Sequence, residues 1–298
     1  MCRWIAYRGD PIFLEDLILK PNNSLIEQSL ECLEGKARTN GDGFGIGWYG
    51  LKTEPGVFRE VLPAWNDPNL RALAEQINSH LFFAHVRAST GTETARLNCH
   101  PFSYGRWLFM HNGQISNYET CRRKLETLVN DDLYGHRRGS TDSELMFLLM
   151  VQNGLEKDPH GSIRKTIEQV TEATERECGE ATLKMTICLS DGNQLYACRH
   201  ATKGAPPTLY WQLLGSDLLI ASEPMGDDLE AWIPVDPDAI VTVGNDFTID
   251  PLFQVANPEA ETDTETERRQ HDRRTSRAFG DTGGFRERRS FGERRADW

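Results

Sequence analysis

The order of its predicted strands and helices constrains the fold of this chain most strongly. Apolar segments typical of strands come first, amphipathic helical segments fill the middle, and strands return from Thr182 onward. This order predicts an α+β domain built of packed layers. The predicted strands are residues 2–7, 81–88, 106–110, 183–189, 194–198, 208–211, 218–221 and 239–243, and the predicted helices are 14–19, 66–79, 118–129, 162–175 and one that starts after Thr141.

Local signals set several boundaries in this prediction. Asp67-Pro68 is typical of a helix start, and Thr141 with Glu144 has the spacing of a capping box. An Asp-Gly pair at 191–192 favours a tight turn between two strands. Residues 43–49 alternate glycine with large side chains, so we expect a strand whose glycine face lets another backbone approach closely.

One motif in the same region is misleading. Residues 45–50 match the dinucleotide pattern G-x-G-x-x-G. The pattern binds a nucleotide only where a helix opens after it, whereas residues 51–56 predict a turn. We therefore expect no nucleotide site, and no other cofactor.

Composition narrows the class of protein. The 298 residues carry a formal net charge of −12, which argues against nucleic-acid or anionic-membrane binding by the whole surface. Acidic residues interrupt any signal-peptide core near the start, and no apolar run reaches the roughly 20 residues of a membrane span. The seven cysteines are scattered and odd in number, so we expect no disulfide scaffold and a reducing, cytoplasmic location.

The composition changes sharply near Pro258. An acidic run follows it, and Glu-Arg-Arg then recurs three times among Gly and Phe residues. Such a segment has too few aliphatic residues for a core. We predict a folded domain over residues 1–257 and a disordered, charged tail over 258–298. Binding of RNA or an acidic partner by the tail is the alternative to a merely solvated segment.

The second residue is the strongest chemical signal. If Met1 is removed after translation, Cys2 carries a thiol and a free α-amine. The pKa of such an amine is about 7.7–8.0 and that of a thiol about 8.5, so both exchange protons near neutral pH. A terminal amine can activate an adjacent nucleophile. Taken alone, however, a cysteine at position 2 is more often an accident of sequence.

Three further segments carry groups that suit an amino-acid substrate. Arg87, followed by hydroxyls including Thr90, is suited to a small carboxylate, although a surface arginine beside a turn gives the same pattern. Asn112-Gly113 could supply two donors to one oxyanion, or form an ordinary turn. Asp142 could hold an ammonium group, or only favour the positive end of a helix.

These segments, in order, resemble one family. Cys2 after Met1, with Asn-Gly-Asp-Gly-Phe-Gly at 40–45, His-Val-Arg-Ala-Ser-Thr at 85–90, His-Asn-Gly at 111–113 and Ser-Thr-Asp-Ser-Glu at 140–144, is similar to the class II glutamine amidotransferases. These are N-terminal nucleophile hydrolases. The resemblance covers residues 2 to about 250 and is closest to stand-alone members without a fused synthase domain.

The resemblance implies a four-layer αββα sandwich that hydrolyses the γ-amide of glutamine or of a related γ-glutamyl compound. It implies Cys2 as nucleophile through a γ-glutamyl thioester, and Asn112 and Gly113 as the oxyanion hole. Arg87 and Thr90 would bind the substrate carboxylate, and Asp142 its amine. The chain departs from some members by having Gly91 where they have histidine, and by lacking an acceptor domain.

Several interpretations stay open on the sequence alone. The enzyme could act alone or supply ammonia to a separate protein that accepts it, it could hydrolyse γ-glutamyl peptides or conjugates, or the chain could be a non-catalytic binding subunit that retains the pocket. The histidines at 80, 85, 100 and 111, with Cys99, fit no recognised zinc spacing. We expect no metal there and interpret these histidines as structural, or as supports for other residues.

Overall fold

The computed structural model describes residues 2–34, 38–89, 91–179, 182–244 and 246–253. Thr90 and the predicted tail, 258–298, lie outside the described residues, as does the predicted domain boundary. No helix in the described ranges combines the length and the apolar character of a membrane span.

Two antiparallel sheets make up the centre of the molecule. The first has seven strands in the order β11-β9-β10-β1-β4-β2-β3, and the second has six in the order β13-β12-β8-β7-β6-β5. The strands are β1 (Arg3–Phe13), β2 (Phe44–Trp48), β3 (Gly56–Glu60), β4 (Asn78–Val86), β5 (Phe102–Tyr104), β6 (Trp107–Ile115), β7 (Leu183–Ser190), β8 (Leu195–Ala201), β9 (Tyr210–Leu214), β10 (Asp217–Ala221), β11 (Ile233–Pro234), β12 (Ala239–Val243) and β13 (Phe247–Pro251).

Helices cover the outer face of each sheet. On β1, Trp4 and Ala6 belong to the core between the two sheets, whereas Ile5 and Tyr7 belong to the core under the first helical layer. This alternation is the period of two of a strand buried on both faces. The αββα sandwich of the N-terminal nucleophile type is confirmed. The helices are α1 (Glu15–Ile18), α2 (Leu25–Leu30), α3 (Pro68–Gln76), α4 (Tyr118–Glu126), α5 (Asp131–Tyr134), α6 (Asp142–Gln152) and α7 (Pro159–Cys178).

The glycine face of β2 is confirmed. A Cβ on Gly45 would collide with the carbonyl oxygen of His100, and one on Gly47 would lie 2.7 Å from the ring of Pro101. The glycines therefore let the segment around His100 pack directly on the strand. The strand leads into a turn and then β3, so the pattern at 45–50 lacks the helix of a dinucleotide site.

Several predicted boundaries were wrong. The first strand does not end at Gly9-Asp10-Pro11 but runs to Phe13, because a register shift between Arg8 and Ile12 absorbs the turn-like residues. The strand predicted at 106–110 continues to Ile115, so Asn112-Gly113 is not a turn. Two short helices, α2 and α5, were not predicted, although Ser24 and Glu27 form a complete capping box at the start of α2.

The two predicted helix starts are confirmed with one correction. Asp67 caps α3 by accepting hydrogen bonds from Asn69 N and Leu70 N. At α6 the Thr141 hydroxyl accepts from Glu144 N at 3.2 Å. The Glu144 carboxylate does not complete the box, because it accepts instead from the backbone N–H groups of Arg138 and Gly139.

Among the described residues one disulfide is present, between Cys121 of α4 and Cys178 at the end of α7, with Cα atoms 6.1 Å apart. It ties two helices of the same layer. Cys2, Cys99, Cys188 and Cys198 are not disulfide-bonded. This disulfide links two helices, and the scattered cysteine spacing did not predict it.

Candidate active site

Cys2 directly precedes β1 and is partly exposed. Strand alternation places its side chain on the same face of β1 as Trp4, which is part of the inter-sheet core. On the neighbouring strand, His85 shares this face and Arg87 is two residues further on, so its side chain follows the same direction. The Cys2 thiol donates a hydrogen bond to Ala88 O at 3.6 Å. The nucleophile candidate and Arg87 are thus neighbours at the ends of adjacent strands.

Burial raises the pKa of the Cys2 thiol, while the hydrogen bond to Ala88 and the positive charges of Arg87 and Arg3 act in the opposite direction. Desolvation is the largest of these effects. The thiol is therefore held in its protonated form, and its attack requires a base within reach.

Asn112 is a buried amide without a partner. Its side chain is 0% exposed, and neither Nδ2 nor Oδ1 forms a hydrogen bond within the described part of the chain. Its neighbour Met110 belongs to the inter-sheet core, and strand alternation sends Asn112 to the same face. Leaving a polar group buried and unpaired costs about 1–3 kcal/mol. Such a cost points to a ligand group as the missing partner.

Gly113 lies where β6 becomes the edge of its sheet. Strand β5 pairs only with residues 107–109, so β6 has an open side beyond Phe109. On this side, Ile115 N donates to Asp142 Oδ2 at 2.8 Å and His111 O faces His85 Nε2 at 3.3 Å. Backbone groups two residues apart point the same way in a strand, so the Gly113 N–H also faces the open side. It is therefore a candidate donor to a substrate oxygen.

A glycine is required at position 113. A Cβ there would collide with Lys184 O and would lie 2.5 Å from His111 Nε2. Any side chain would therefore push β6 away from β7 and displace the two candidate oxyanion donors.

Arg87 is 3% exposed and braces the loop that follows β4. Its Nη2 donates to Thr92 Oγ1 at 2.7 Å and contacts Ser89 Oγ and two loop carbonyls at 3.3–3.4 Å. Its Nη1 makes one contact, to Asp42 O at 3.3 Å, and Nε has no hydrogen-bond partner among the described residues. The second N–H of Nη1 is thus available to a carboxylate, while Thr90 falls outside the described residues.

Asp142 is the first residue of α6 and is half-buried. Besides Ile115 N, its carboxylate accepts from Ser143 N at 2.8 Å and from the Ser143 hydroxyl at 3.3 Å. A carboxylate has about four acceptor positions. The geometry therefore gives Asp142 a structural role at the open edge of β6 and leaves room for an ammonium donor.

Three histidines surround these groups, and the structural role expected for them fits their environment. His85 stacks on His100 with ring centroids 4.3 Å apart, and His111 Nδ1 lies 2.8 Å from Ser143 Oγ. Burial lowers the pKa of His85 to about 3 and lowers those of His100 and His111 as well. They are neutral near neutral pH, but their lowered pKa values mean that they bind a proton weakly. They are therefore poor candidates for the base. Within the described ranges, no group of three or more metal-ligating side chains comes together.

Sequence reasoning missed three residues near Cys2. Asp42 Oδ2 accepts from Ser89 N at 2.7 Å and fixes the loop that Arg87 braces. Arg3 and Glu223 form a buried ion pair directly beneath the nucleophile, with Nε and Oε2 3.0 Å apart. The signal for Arg3 was present, because a charged residue interrupts an otherwise apolar strand right after Cys2.

Comparison with known proteins adds independent evidence. The family model of the class-II glutamine amidotransferases matches residues 23–208. The probable glutamine amidotransferase DUG3 of Saccharomyces cerevisiae is 33% identical over 291 residues, with 82% of each chain covered. The γ-glutamyl-hercynylcysteine sulfoxide hydrolase of Mycolicibacterium smegmatis is 28% identical over 245 residues, which cover 82% of this chain and 96% of that protein.

A solved structure agrees with the sequence matches. The glutamine aminotransferase class-II domain protein of Silicibacter pomeroyi superposes with a TM-score of 0.67 and 34% identity, covering 84% of this chain and 99% of that one. Because the match spans nearly all of the Silicibacter chain and of the mycobacterial hydrolase, these relatives are stand-alone proteins without a fused synthase domain. The family match over more than half of the chain, the fold and the ordered motifs together make this protein a member of the class II glutamine amidotransferases.

Proposed function

We propose that the mature protein, with Met1 removed, hydrolyses the γ-amide bond of a γ-glutamyl compound with Cys2 as nucleophile. The observation that carries the proposal is the buried Asn112 amide, which has no hydrogen-bond partner among the described residues and lies on the face of β6 that carries Met110 of the inter-sheet core. With the neighbouring Gly113 N–H, this amide suits the oxyanion of an acyl-transfer reaction.

The α-amine of Cys2 is the base of the proposed reaction. It takes the thiol proton as Sγ attacks the γ-carbonyl carbon, and Asn112 Nδ2 and Gly113 N–H bind the oxyanion. The ammonium returns the proton to the leaving nitrogen, which departs as ammonia or an amine and leaves a γ-glutamyl thioester. Water then attacks the thioester with the amine as base, releasing glutamate and the thiol.

Substrate binding is assigned to the two ends of the glutamyl group. Arg87, through Nη1, binds the α-carboxylate together with Thr90, and Asp142 binds the α-ammonium. Arg87 lies beside Cys2, and Asp142 bonds to the strand that carries Gly113, so each proposed charge partner is adjacent to a proposed reacting group.

The proposed contacts define the glutamyl part of the substrate and not its leaving group. The mycobacterial relatives are named for hydrolysis of a γ-glutamyl conjugate, which favours conjugates or peptides over free glutamine for this chain. Ammonia supply to a separate acceptor protein is the alternative. The cytoplasm is the compartment we propose, because Cys2, Cys99, Cys188 and Cys198 are free thiols, although the Cys121–Cys178 disulfide is a feature more typical of oxidising compartments.

The decisive experiment combines mass and activity. Intact-mass analysis of the purified protein should show loss of Met1, and the protein should release glutamate from γ-glutamyl peptides, from glutamine, or from both. Cys2→Ala should abolish release, whereas Cys188→Ala, a buried thiol in the inter-sheet core, should leave it intact. A diazoketone analogue of glutamine should add its mass to Cys2. Retained Met1 together with no release from either substrate class would make the protein a binding subunit instead.

The domain division is also a proposal. A chain ending at residue 257 should fold and hydrolyse the same substrates with unchanged kcat/KM, because the site residues and both sheets lie before that point. Loss of activity or of cooperative unfolding in the shortened chain would contradict a domain of 1–257.

A further inference from the structure

Arg3 occupies the face of β1 opposite to Cys2 and is completely buried. Its side chain is 0% exposed and that of Glu223 is 1% exposed, with Nε and Oε2 3.0 Å apart. The cost of a buried ion pair depends on how many of its remaining donors and acceptors are satisfied, and Arg3 Nη2 has no hydrogen-bond partner among the described residues. The pair therefore has to be judged by what else each side chain binds.

The Glu223 carboxylate is fully used. Oε1 accepts from Leu33 N at 2.9 Å and from Asn23 Nδ2 at 3.2 Å, and Oε2 accepts from Glu34 N at 3.0 Å in addition to Arg3. Four donors from three chain segments hold this carboxylate in one place. It is a fixed anchor for the Arg3 guanidinium.

The guanidinium reaches back to the nucleophile. Arg3 Nη1 donates to the carbonyl oxygen of Cys2 at 3.1 Å. Cys2 precedes the first ladder pair of β1, Arg3 with Val86, so the sheet does not fix its backbone. In the mature chain no peptide unit precedes Cys2, and this hydrogen bond restrains the rotation that directs both its thiol and its amine.

We propose that Arg3, held by Glu223, is the residue that positions Cys2 for attack. The inference rests on the proposed function, since positioning matters only if Cys2 is the nucleophile. Lysine can keep the charge opposite Glu223, but its single ammonium cannot reproduce the planar fork that spans Glu223 and the Cys2 carbonyl.

The test compares Arg3→Lys with the double variant Arg3→Met/Glu223→Gln. In Arg3→Lys, kcat should fall about 10- to 100-fold, the scale of a misplaced reacting group, with KM within about twofold because Arg87 and Asp142 are untouched. In the double variant the buried charges are gone and the Gln oxygen still accepts from the backbone. The thermal midpoint should therefore exceed that of Arg3→Met alone, while kcat stays low.

Recovery of kcat in parallel with the thermal midpoint would show that Arg3 only stabilises the fold, and would overturn the inference. Arg106→Met is the matched control. It removes an ion pair with Glu156 (2.7 Å) at the opposite end of β6 from Asn112 and should lower stability without lowering kcat.

The rate of Cys2 alkylation by iodoacetamide, read by peptide mass, separates the two proposals. A hydrolytically inactive wild type would remove the proposed function, yet Cys2 should still be alkylated more slowly in Arg3→Lys, because the amine that takes the thiol proton is no longer held beside it. An unchanged alkylation rate in Arg3→Lys would overturn the positioning role, whether or not the wild type is active.

Discussion

The carboxylate of Asp142 accepts a hydrogen bond from the backbone N–H of Ile115 at 2.8 Å. This bond joins the start of α6 to the open side of β6, two residues beyond the Gly113 N–H. It fixes the distance between the proposed ammonium site and the proposed oxyanion site. A substrate held at Asp142 is thereby placed relative to the donors that would stabilise its transition state.

Asp142→Asn should raise KM for the glutamyl substrate at least tenfold, because the amide cannot pair with an ammonium charge. The comparison that isolates this effect uses a substrate analogue without the α-amine. Wild-type protein should favour the amine-bearing substrate, whereas Asp142→Asn should treat the two nearly alike. If the variant loses thermal stability but keeps its preference for the amine, Asp142 has only its structural role.

Asn112→Ala should lower kcat about 10²- to 10³-fold with little change in KM, the range for loss of one oxyanion donor. Its thermal midpoint should be no lower than that of the wild type, because the substitution removes a buried amide that has no hydrogen-bond partner among the described residues. Steady-state kinetics check the fall in kcat, and a thermal melt of the same sample checks the midpoint. Thr186→Val is the control, since its hydroxyl bonds the Asn112 backbone oxygen at 3.3 Å rather than the amide; a fall in kcat as large as that of Asn112→Ala would argue against the amide as the donor.

Arg87→Lys should raise KM for glutamyl substrates more than it lowers kcat, since a carboxylate contact acts on ground and transition states alike. The loop contacts of Nη2 complicate this variant, because lysine also loses some of them. Thr92→Val removes the 2.7 Å contact from the loop side and serves as the control. Equal changes of KM in both variants would assign Arg87 to the loop rather than to the substrate.

Stability should fall steeply in acid because of the buried histidines. Burial lowers the pKa of His85 from 6.5 to about 3 and lowers those of His100 and His111, so the folded protein binds fewer protons than the unfolded chain below pH 6.5. Above pH 6.5 these histidines are neutral in both states, and their contribution to the free energy of unfolding is fully present. It is lost as the pH falls towards the pKa values of the folded protein. Between the unfolded and folded pKa values, each such histidine adds about 1.4 kcal/mol per pH unit to the slope of the free energy of unfolding against pH.

His100→Phe tests this assignment. His100 is buried between the rings of His85 and Phe102, and its ring nitrogens have no hydrogen-bond partner within the described residues. The charged groups that act on it are His85, His111, Arg87 and Arg59, all of which disfavour its protonation. The free energy of unfolding should be measured with urea at several pH values of about 4.5–7.5. Below pH 6.5, its slope against pH should be shallower by about 1.4 kcal/mol per pH unit in the variant. Parallel curves for the two proteins would mean that His100 titrates normally.

The sequence alone predicted an α+β domain of packed layers and the candidate residues of the reaction. The periods of two and 3.6, the Asp67 cap and the turn at 191–192 are local signals, and the structure confirms them. The glycine alternation of β2 also predicted a close backbone neighbour, because a strand face without side chains leaves room that another segment must fill. The ordered motifs then predicted the family, which the comparisons confirm.

Only the tertiary structure decided how those residues are used. Asn112-Gly113 is equally compatible with a turn in sequence, and it becomes an open strand edge because β5 ends its pairing at Trp107–Phe109. The anchor for Arg3 lies 220 positions away at Glu223, and no local pattern encodes a contact of that separation. Side-chain type and strand period are properties of neighbouring residues, whereas burial, partner choice and desolvation depend on segments that meet only when the two sheets pack.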